Sequence, residues 1–266
     1  MIDPNNPIFV HSDIGRGLLA AKRAGIRINP KNICLSLLDF LSQQVEGDLS
    51  RLIFPSFNYS YSETRIFRPD VDPVQVGVLP EWIRNNCGFS RSDIPIFSVL
   101  SKSNISLNST KVINPFGVES VFSWIVDHDA TLVLFGDGLS ALTFIHHVEE
   151  MDGKPVYRYD KSFSGQIIRS DHVNDCEFTM HVRPRGIHMD YDWPRIEQDL
   201  ISEGILNVES YSQELKYVKA VRLLEYWGNR ILDDPLYLLD APSRDYFKVK
   251  TELGLRRIQI EEFEEL

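Results

Sequence analysis

The stretch Thr131–Glu150, TLVLFGDGLSALTFIHHVEE, carries the clearest signal of the fold class. Its first five residues are apolar or β-branched, which is typical of a buried strand. Gly136 and Gly138 follow and predict a tight turn, and residues 140–150 have the spacing of apolar side chains found in helices. A buried strand, a glycine turn and a helix in this order predict an α/β unit that carries the functional site.

Strands and helices also alternate on the N-terminal side of this stretch. Residues 7–11 form a short apolar run that predicts a strand, and the residues around Gly15 and Gly17 lead into a helical stretch. Residues 32–45 repeat apolar side chains every three or four positions, as a helix does, and residues 52–55 predict a second buried strand. This alternation indicates the α/β class.

The remaining segments give further expectations. Residues 56–73 are rich in Tyr, Ser, Asn and Asp without a sustained period, and predict a long functional loop. Residues 155–190 contain alternating apolar and polar stretches that predict one or two antiparallel strands. Helices are expected at residues 79–86, 118–126, 193–201 and 209–231.

The composition is that of an ordinary globular protein. The chain has 266 residues, of which 43% are hydrophobic and 25% are charged, so it can bury a sizeable core. We expect a single domain over residues 1–266, which could include a smaller β lobe at about 155–190. The formal net charge of −10 argues against nucleic acid as a partner, because a general nucleic-acid binder needs a broad basic surface.

The sequence predicts neither a disulfide framework, nor a metal site, nor a membrane span. Its three cysteines, at positions 34, 87 and 176, are odd in number and far apart. His181 and His188 follow the last of them without the ligand spacing of a zinc site. The N-terminus lacks a signal-peptide pattern and no apolar run is long enough to cross a bilayer, so we expect a cytoplasmic protein.

His146 and Glu149 are the leading catalytic candidates. Their spacing of three residues places both on one face of a helix, and Thr143 shares that face. A carboxylate beside an imidazole orients the ring and favours its proton-accepting form, which a general base near neutral pH requires. A solvated pair on a helix surface has the same spacing, so the spacing alone leaves both interpretations open.

The turn Gly136-Asp137-Gly138 is a candidate ligand site. Glycines let backbone N–H groups approach a ligand closely, and the N-terminus of the following helix favours negative charge. The turn could hold a phosphate or the oxyanion of a tetrahedral intermediate, and Thr143 is a second candidate donor to that oxyanion. A tight connection between a strand and a helix would need the same glycines, and this alternative also stays open.

A series of motifs resembles one known family. Leu132–Glu149 resembles the signature of the aminoglycoside 3-N-acetyltransferases, in which a hydrophobic strand, a Gly-x-Gly turn and a Thr precede His-x-x-Glu. Phe9–Ser12 (FVHS) and Leu52–Ser56 (LIFPS) are similar to two strand ends of that family. Further matches follow in the family's order: Gly77–Glu81 with Arg84, Gly88 with Arg91, Ser92 and Pro95, Pro115–Gly117 with Ser120, and the helix from Asp192 to Gly204.

The resemblance implies a fold and a reaction. The fold would be α/β, with three layers (α/β/α) around a mixed central sheet and an added antiparallel β segment. The enzyme would be an N-acyltransferase that takes an acyl group from acyl-CoA, by default acetyl-CoA, and passes it directly to an amine. His146 would deprotonate the amine and Glu149 would orient His146. The resemblance also implies which residues line the path of CoA, with Arg91 as the phosphate partner: Ser12, Arg91, Ser92, Phe116, Gly117 and Ser120.

Departures from the family pattern concern the acceptor. Ser140 and Leu142 stand where the signature has an acidic residue and an Asn, and Ile94 replaces a His. The loss of these groups favours an amino sugar other than an aminoglycoside drug. Tyr59 could stack on a base or sugar, and Glu81, in a matching motif, is a further candidate at the acceptor. A nucleotide-linked amino sugar is the favoured acceptor because its diphosphate could pair with several arginines: Arg158, Arg169, Arg183 and Arg185.

Alternatives to this reaction stay open. An aminoglycoside antibiotic is the second candidate acceptor. Gly138-Leu139-Ser140 after a strand resembles the start of the nucleophile elbow of a serine hydrolase, although Leu142 stands where the closing glycine belongs. A non-catalytic relative that binds CoA or a sugar would also fit the altered positions. The chain could form a homo-oligomer, and the sequence does not determine its oligomeric state.

Overall fold

The structure is a computed structural model that describes residues 2–103, 105, 112–152, 155–252 and 258. The strands in these ranges are β1 (Ile8–Ser12), β2 (Leu52–Pro55), β3 (Ile66–Phe67), β4 (Ser90–Arg91), β5 (Val99–Ser101), β6 (Val112–Ile113), β7 (Thr131–Phe135), β8 (Tyr159–Ile168), β9 (Val173–Val182), β10 (Asn207–Glu209) and β11 (Ser212–Lys219). The α-helices are α1 (Ile14–Arg23), α2 (Ile33–Gln43), α3 (Tyr61–Thr64), α4 (Val78–Asn86), α5 (Val121–Asp127), α6 (Ile145–Met151), α7 (Trp193–Ser202), α8 (Ala220–Asp233) and α9 (Ala241–Glu252). None of the helices in these ranges has the length and hydropathy of a membrane span.

A seven-stranded mixed sheet lies at the centre, in the order β10-β11-β7-β1-β2-β5-β4. β1 runs parallel to both β7 and β2, whereas β11, β5 and β4 each run antiparallel to the strand they extend. Ser12 is paired with Phe135, so β1 and β7 end together at one edge of the sheet. Open α/β sheets bind their ligands at the carboxyl ends of the strands, and we therefore expect the site at this edge.

Helices cover both faces of the central sheet. Phe9 of β1 belongs to a buried cluster that includes α5, α6 and α8, whereas its neighbours Ile8 and Val10 belong to another cluster that includes α1, α2 and α4. Successive side chains of a strand point to opposite faces, and here both faces are buried. Strands buried on both faces are apolar throughout, which explains the run Thr131–Phe135. The expected three-layer α/β/α fold is confirmed.

A second sheet contains four strands in the order β3-β8-β9-β6. Its centre is a hairpin in which β8 and β9 pair antiparallel from Tyr159–Val182 to Ile168–Val173. This hairpin confirms the added antiparallel segment expected within residues 155–190. Phe163 and Phe178 lie in the same buried cluster as α5, α6 and α8, so the hairpin packs on one face of the central layer.

Two expectations about local structure are wrong. Residues 209–231 are not one helix, because β11 pairs with β7 over Leu215–Lys219 and α8 begins at Ala220. The backbone hydrogen bonds offered by the neighbouring strand β7 override the local helical pattern, since secondary-structure propensity is weaker than tertiary context. The segment 56–73 is also not entirely loop, since it contains the short elements α3 and β3.

Gly136 allows the close crossing between the end of β7 and helix α1. Its φ is +78°, and a Cβ atom there would lie 2.3 Å from the backbone N of Gly17 and 2.7 Å from the carbonyl O of Asp13. A residue with a side chain would therefore clash with backbone atoms that cannot move away. The crossing brings the turn after β7 close to the turn after β1, so the tight-connection interpretation accounts for this glycine.

Candidate active site

A cavity of about 550 Å³ lies at the carboxyl edge of the parallel strands, and we call it the base cavity. The end of β1 contributes His11 and Ser12, and helix α6 contributes His146. The segment between β7 and α6 forms another part of the wall. Several aromatic side chains complete the lining: Phe57, Tyr59, Phe97, Tyr191 and Trp193. The cavity therefore combines a histidine, hydroxyl groups and flat apolar surfaces, as a sugar-binding site does.

His146 and Glu149 form a hydrogen-bonded pair on the wall of this cavity. The Nδ1 atom of His146 lies 3.0 Å from Oε2 of Glu149, as the spacing of three residues on a helix allows. An ionised carboxylate accepts hydrogen bonds, so this contact assigns the ring proton to Nδ1. The lone pair of the neutral ring then lies on Nε2, which is the nitrogen that can take a proton from a substrate.

Glu149 is the centre of a buried cluster of polar side chains. Its side chain has no solvent exposure. The hydroxyl groups of Tyr157 and Tyr191 donate to Oε1 at 3.0 and 2.5 Å. Nε of Arg158 lies 2.8 Å from Oε2, and Nε2 of His181 lies 3.2 Å from the same oxygen. Both carboxylate oxygens are therefore held by several groups, which fixes the orientation of the carboxylate.

The charges of the cluster determine the protonation states of the pair. Burial opposes the ionisation of Glu149, but the charge of Arg158 and the hydrogen bonds of His146 and His181 outweigh it, and the pKa of Glu149 lies well below its usual range. Burial and the charge of Arg158 lower the pKa of His146 to about 4, against the opposing effect of Glu149. At neutral pH the pair is thus a carboxylate beside a neutral imidazole, the resting state of a general base.

His146, Glu149 and His181 have the residue types of a metal site, and their ligand atoms lie within 4.8 Å of one another. However, Oε2 of Glu149 is in contact with both histidines and with Arg158. A guanidinium group at 2.8 Å opposes the binding of a cation at this oxygen. We therefore interpret the three residues as part of a hydrogen-bonded cluster.

Thr143 and Ser12 lie at the base cavity together with His146. The expected helix from residue 140 begins only at Ile145, because Leu139–Ala141 forms a separate 3-10 turn. Thr143 therefore precedes the helix, and the prediction that it shares a helical face with His146 is wrong. Its carbonyl group still accepts a hydrogen bond from the backbone N of His146 at 3.0 Å, which keeps the two residues close.

A second cavity of about 280 Å³ lies at the C-terminal end of helix α6, and we call it the turn cavity. It is lined by the segment 113–121, which includes the predicted CoA residues Gly117 and Ser120, and by Glu150 of α6. Phe116 lies between the two cavities. Its ring centroid is 5.2 Å from that of His146 and 4.8 Å from that of Phe97, and both of these residues line the base cavity.

Arg91 and Ser92 are engaged inside the protein instead. The guanidinium group of Arg91 is buried and donates to the carbonyl groups of Ser56 and Asp72 and to Oγ of Ser98. Oγ of Ser92 accepts from the backbone N of Val99 at 3.0 Å, and neither residue lines the described cavities at α6. The prediction that Arg91 binds phosphate is therefore corrected: its donors hold the loop after β2 against the sheet.

The four predicted acceptor residues separate into two groups. Tyr59 and Arg183 are exposed and line the base cavity. Glu81 instead forms an ion pair with Arg84 at 2.8 Å and accepts a backbone hydrogen bond, so it braces the loop before α4. Arg185 is exposed on the loop after β9 and is not part of the cavity lining. The assignment of Glu81 and Arg185 to the acceptor site is not supported by their positions.

Two of the arginines expected to bind a diphosphate form ion pairs with carboxylates of the protein instead. Arg158 is buried against Glu149. Arg169 pairs with Asp70, and with Asp93 at 2.6 Å. Because their guanidinium groups already have carboxylate partners, neither is placed to receive a substrate phosphate.

Several residues of the site were missed by sequence reasoning. Tyr157, His181 and Tyr191 reach Glu149 from segments that are distant in sequence, and no local pattern marks them. Asp13 and Asp137 line the base cavity, the first directly after β1 and the second two residues after the end of β7. Their position after buried strands was a usable signal, because the carboxyl ends of parallel strands meet at one edge of the sheet.

Comparisons with known proteins agree with this description. The family model of the aminoglycoside 3-N-acetyltransferases matches residues 53–229. Among solved structures, the AAC(3)-IVa apoenzyme has a TM-score of 0.65 at 17% identity, covering 91% of this chain and 87% of its own. AAC(3)-Xa has a TM-score of 0.67 at 15% identity, covering 89% of both chains. AAC-IIIb, solved as a binary complex with CoASH, has a TM-score of 0.61 at 16% identity, covering 86% of this chain and 90% of its own.

A search of curated protein sequences finds no match. The structural likeness, at these low identities, shows the fold, whereas the family model covers more than half of the chain. The chain therefore belongs to the aminoglycoside 3-N-acetyltransferase family and is a CoA-dependent acetyltransferase.

Proposed function

We propose that the protein transfers an acetyl group from acetyl-CoA directly to an amine of an amino sugar, with His146 as the general base. The observation that carries this proposal is the contact of His146 Nδ1 with the ionised Glu149 at the wall of the base cavity. An ammonium group must lose a proton before its nitrogen can attack the thioester carbonyl. Nε2 of His146 accepts a proton from the amine, and Glu149 stabilises the imidazolium that forms.

The reaction balances with the release of one proton. The ammonium form of the acceptor and acetyl-CoA give an N-acetylated amine, CoA thiol and one proton. The N–C bond forms as the C–S bond breaks, and the leaving sulfur is protonated. Thr143, which lines the base cavity, is a candidate hydroxyl donor to the oxyanion of the tetrahedral intermediate.

The donor is assigned to the turn cavity. Its lining residues Gly117 and Ser120 match the CoA path that the family resemblance implies. The ring centroid of Phe116, which follows the lining residue Pro115, lies 5.2 Å from that of His146, so an acyl donor in this cavity would lie close to the base. The neighbour AAC-IIIb was solved with CoASH, which supports acetyl-CoA as the co-substrate.

The charges at the base cavity favour an amino sugar with several ammonium groups. Asp13 and Asp137 line the cavity, and carboxylates attract cationic groups. Burial raises the pKa of Asp137, so a bound ammonium group would stabilise its ionised form. The neighbour AAC(3)-IVa was solved with apramycin and with a gentamicin. A nucleotide-linked amino sugar is the second candidate, and it depends on Arg183, which lines the same cavity.

The serine hydrolase alternative loses support. Ser140 lies within the 3-10 turn Leu139–Ala141, whereas a nucleophile elbow places its serine on a sharp turn directly between a strand and a helix. His146, which lines the same cavity, follows Ser140 by only six residues and is oriented by Glu149. We therefore assign that histidine to an amine and not to a serine hydroxyl.

The test measures the release of CoA thiol from acetyl-CoA with three acceptors: an aminoglycoside, a nucleotide-linked amino sugar and no acceptor. We expect release that depends on an amino sugar. His146→Ala should lower kcat by about a hundredfold to ten-thousandfold, the typical contribution of a general base, and should retain affinity for acetyl-CoA. His172→Ala, at an exposed position in the β8–β9 turn, is the matched control. Wild-type turnover in His146→Ala would refute the assignment of the base.

A further inference from the structure

His181 lies on β9, is not among the lining residues of the base cavity, and has a side chain with no solvent exposure. Nε2 of its ring is 3.2 Å from Oε2 of Glu149. Nδ1 is 3.1 Å from Oε2 of Glu150. One imidazole therefore lies between two neighbouring carboxylates of helix α6, and the first of these, Glu149, is in contact with His146.

The contacts continue from Glu150 towards the turn cavity. Oε1 of Glu150 accepts from Nδ2 of Asn114 at 2.9 Å, and Oδ1 of Asn114 accepts from the backbone N of Phe116 at 3.0 Å. His147 donates from Nδ1 to the carbonyl of Phe116 at 2.7 Å. A line of hydrogen bonds and close polar contacts therefore connects Glu149 with the turn at residues 114–117.

We propose that His181 is a positioning residue for acyl transfer, which fixes Glu149 against His146 and ties the base to the turn that receives the acyl donor. The proposal rests on the function proposed above. A carboxylate can rotate about its side-chain bonds, and each partner that holds an oxygen narrows that rotation. General-base catalysis depends on the alignment of His146, and a displacement of about 1 Å costs on the order of a hundredfold in rate.

Two substitutions separate the two contacts of His181. The amide nitrogen of Gln lies near the position of Nε2, so His181→Gln keeps a donor to Glu149. The amide nitrogen of Asn lies near the position of Nδ1, so His181→Asn keeps a donor to Glu150 alone. We expect His181→Asn to lower kcat by about 10- to 100-fold. His181→Gln should recover most of that loss, and KM for the amino sugar should change little in either variant.

A spectroscopic measurement tests the same proposal without any substrate. The Nδ1 proton of His146, held by a carboxylate, should give a downfield NMR resonance that persists in wild type and in His181→Gln. In His181→Asn it should move upfield or broaden by exchange with water. Two further side chains face the His146 ring. Nη2 of Arg158 lies 3.3 Å from Nδ1 of His146, and the ring centroid of Tyr191 lies 6.4 Å from that of His146. Both neighbours are the same residues in the two variants.

The control is His188→Asn, because His188 is exposed and bonds to Asp240 away from Glu149. Thermal unfolding of each variant checks that the fold is intact. Equal kcat values for His181→Asn and His181→Gln, with an unchanged His146 resonance in both, would overturn the proposal. If the wild-type protein transfers no acetyl group but the His146 resonance is lost only in His181→Asn, the result supports the positioning role of His181 and refutes the proposed function.

Discussion

Among the described residues, two buried arginines have very different surroundings. Arg91, at the edge strand β4, donates to two backbone carbonyl groups and a serine hydroxyl. Arg158, before β8, pairs with the buried carboxylate of Glu149 and contacts the hydroxyl of Tyr191. Burial opposes the charged form of both side chains. It lowers the pKa of Arg91 to about 10, whereas the negative charge of Glu149 reverses the effect and raises the pKa of Arg158.

The charge of the partner groups distinguishes an arginine that holds a loop in place from one that keeps a buried carboxylate ionised. Neutral partners, as around Arg91, satisfy the donors and hold a loop in place. A charged partner, as beside Arg158, creates a local field, and that field keeps Glu149 ionised next to His146. Electrostatic preorganisation of this kind is a major source of enzymatic rate enhancement. The two regions should therefore respond differently to matched substitutions.

The largest difference is expected between Arg158→Met and Arg91→Met. Arg158→Met leaves the carboxylate of Glu149 buried without its counter-charge, which should lower the free energy of unfolding by about 3–5 kcal/mol and abolish acetyl transfer. Arg91→Met leaves uncharged acceptors behind and should cost about 1–3 kcal/mol. Its folded fraction should still transfer acetyl groups. Urea unfolding and turnover per folded molecule test both statements, and equal losses of activity would contradict the comparison.

A smaller difference is expected in the dependence of stability on pH. The pKa of His146 falls from 6.5 to about 4 on folding, and that of His11 to about 3. The unfolded chain therefore binds more protons as pH falls from about 6.5 to about 4, and the free energy of unfolding should fall with it. The slope is up to about 1.4 kcal/mol per pH unit for each titrating histidine.

Glu149 adds to this loss at lower pH. Its pKa is depressed by folding, so its contribution is present above the unfolded value of 4.5 and is lost as pH falls below it. His146→Ala should flatten the slope between pH 6.5 and 5, whereas Arg91→Met should retain the wild-type slope, because the partners of Arg91 do not titrate there. Urea unfolding at pH 7.5, 6.0 and 5.0 measures these slopes, and an unchanged slope in His146→Ala would count against a neutral, partly buried ring at this position.

The smallest effects are expected for charges at the open base cavity, where solvent screens them. If the acceptor is a polycationic amino sugar, Asp137→Asn should raise its KM about two- to fivefold and Arg183→Ala should not. A nucleotide-linked acceptor should show the opposite pattern. Steady-state KM values for both acceptors, measured with saturating acetyl-CoA, distinguish these cases. A change in kcat without a change in KM would place either residue in the chemistry instead.

Much of the fold could be predicted because its signals are local. Thr131–Phe135 consists of one threonine and four apolar residues because both faces of β7 are buried, and the glycine after it is required by a backbone crossing. The register with β1 places the two strand ends together, which no local pattern states. The prediction of one helix over residues 209–231 was wrong because strand pairing is also not a local property: β11 forms because β7 lies beside it.

In the candidate site, too, local contacts could be predicted and contacts between distant segments could not. His146 and Glu149 could be paired from their spacing, because three residues on a helix bring two side chains together. Arg91 and Arg158 could not be told apart, since the sequence does not state whether an arginine meets carbonyl groups or a carboxylate. Arg158 was expected at a substrate diphosphate, and it lies instead against the carboxylate of Glu149.

Three features could be predicted from the sequence: the α/β class, the strand, turn and helix that carry the site, and the His146–Glu149 pair. These features depend on residues within about ten positions of one another, where chain geometry restricts what can meet. Tertiary structure alone decided that Arg158, His181 and Tyr191 surround Glu149, and hence that the carboxylate stays ionised in a buried place. The protonation state of a buried group depends on the charges packed around it, and distant segments supplied those charges.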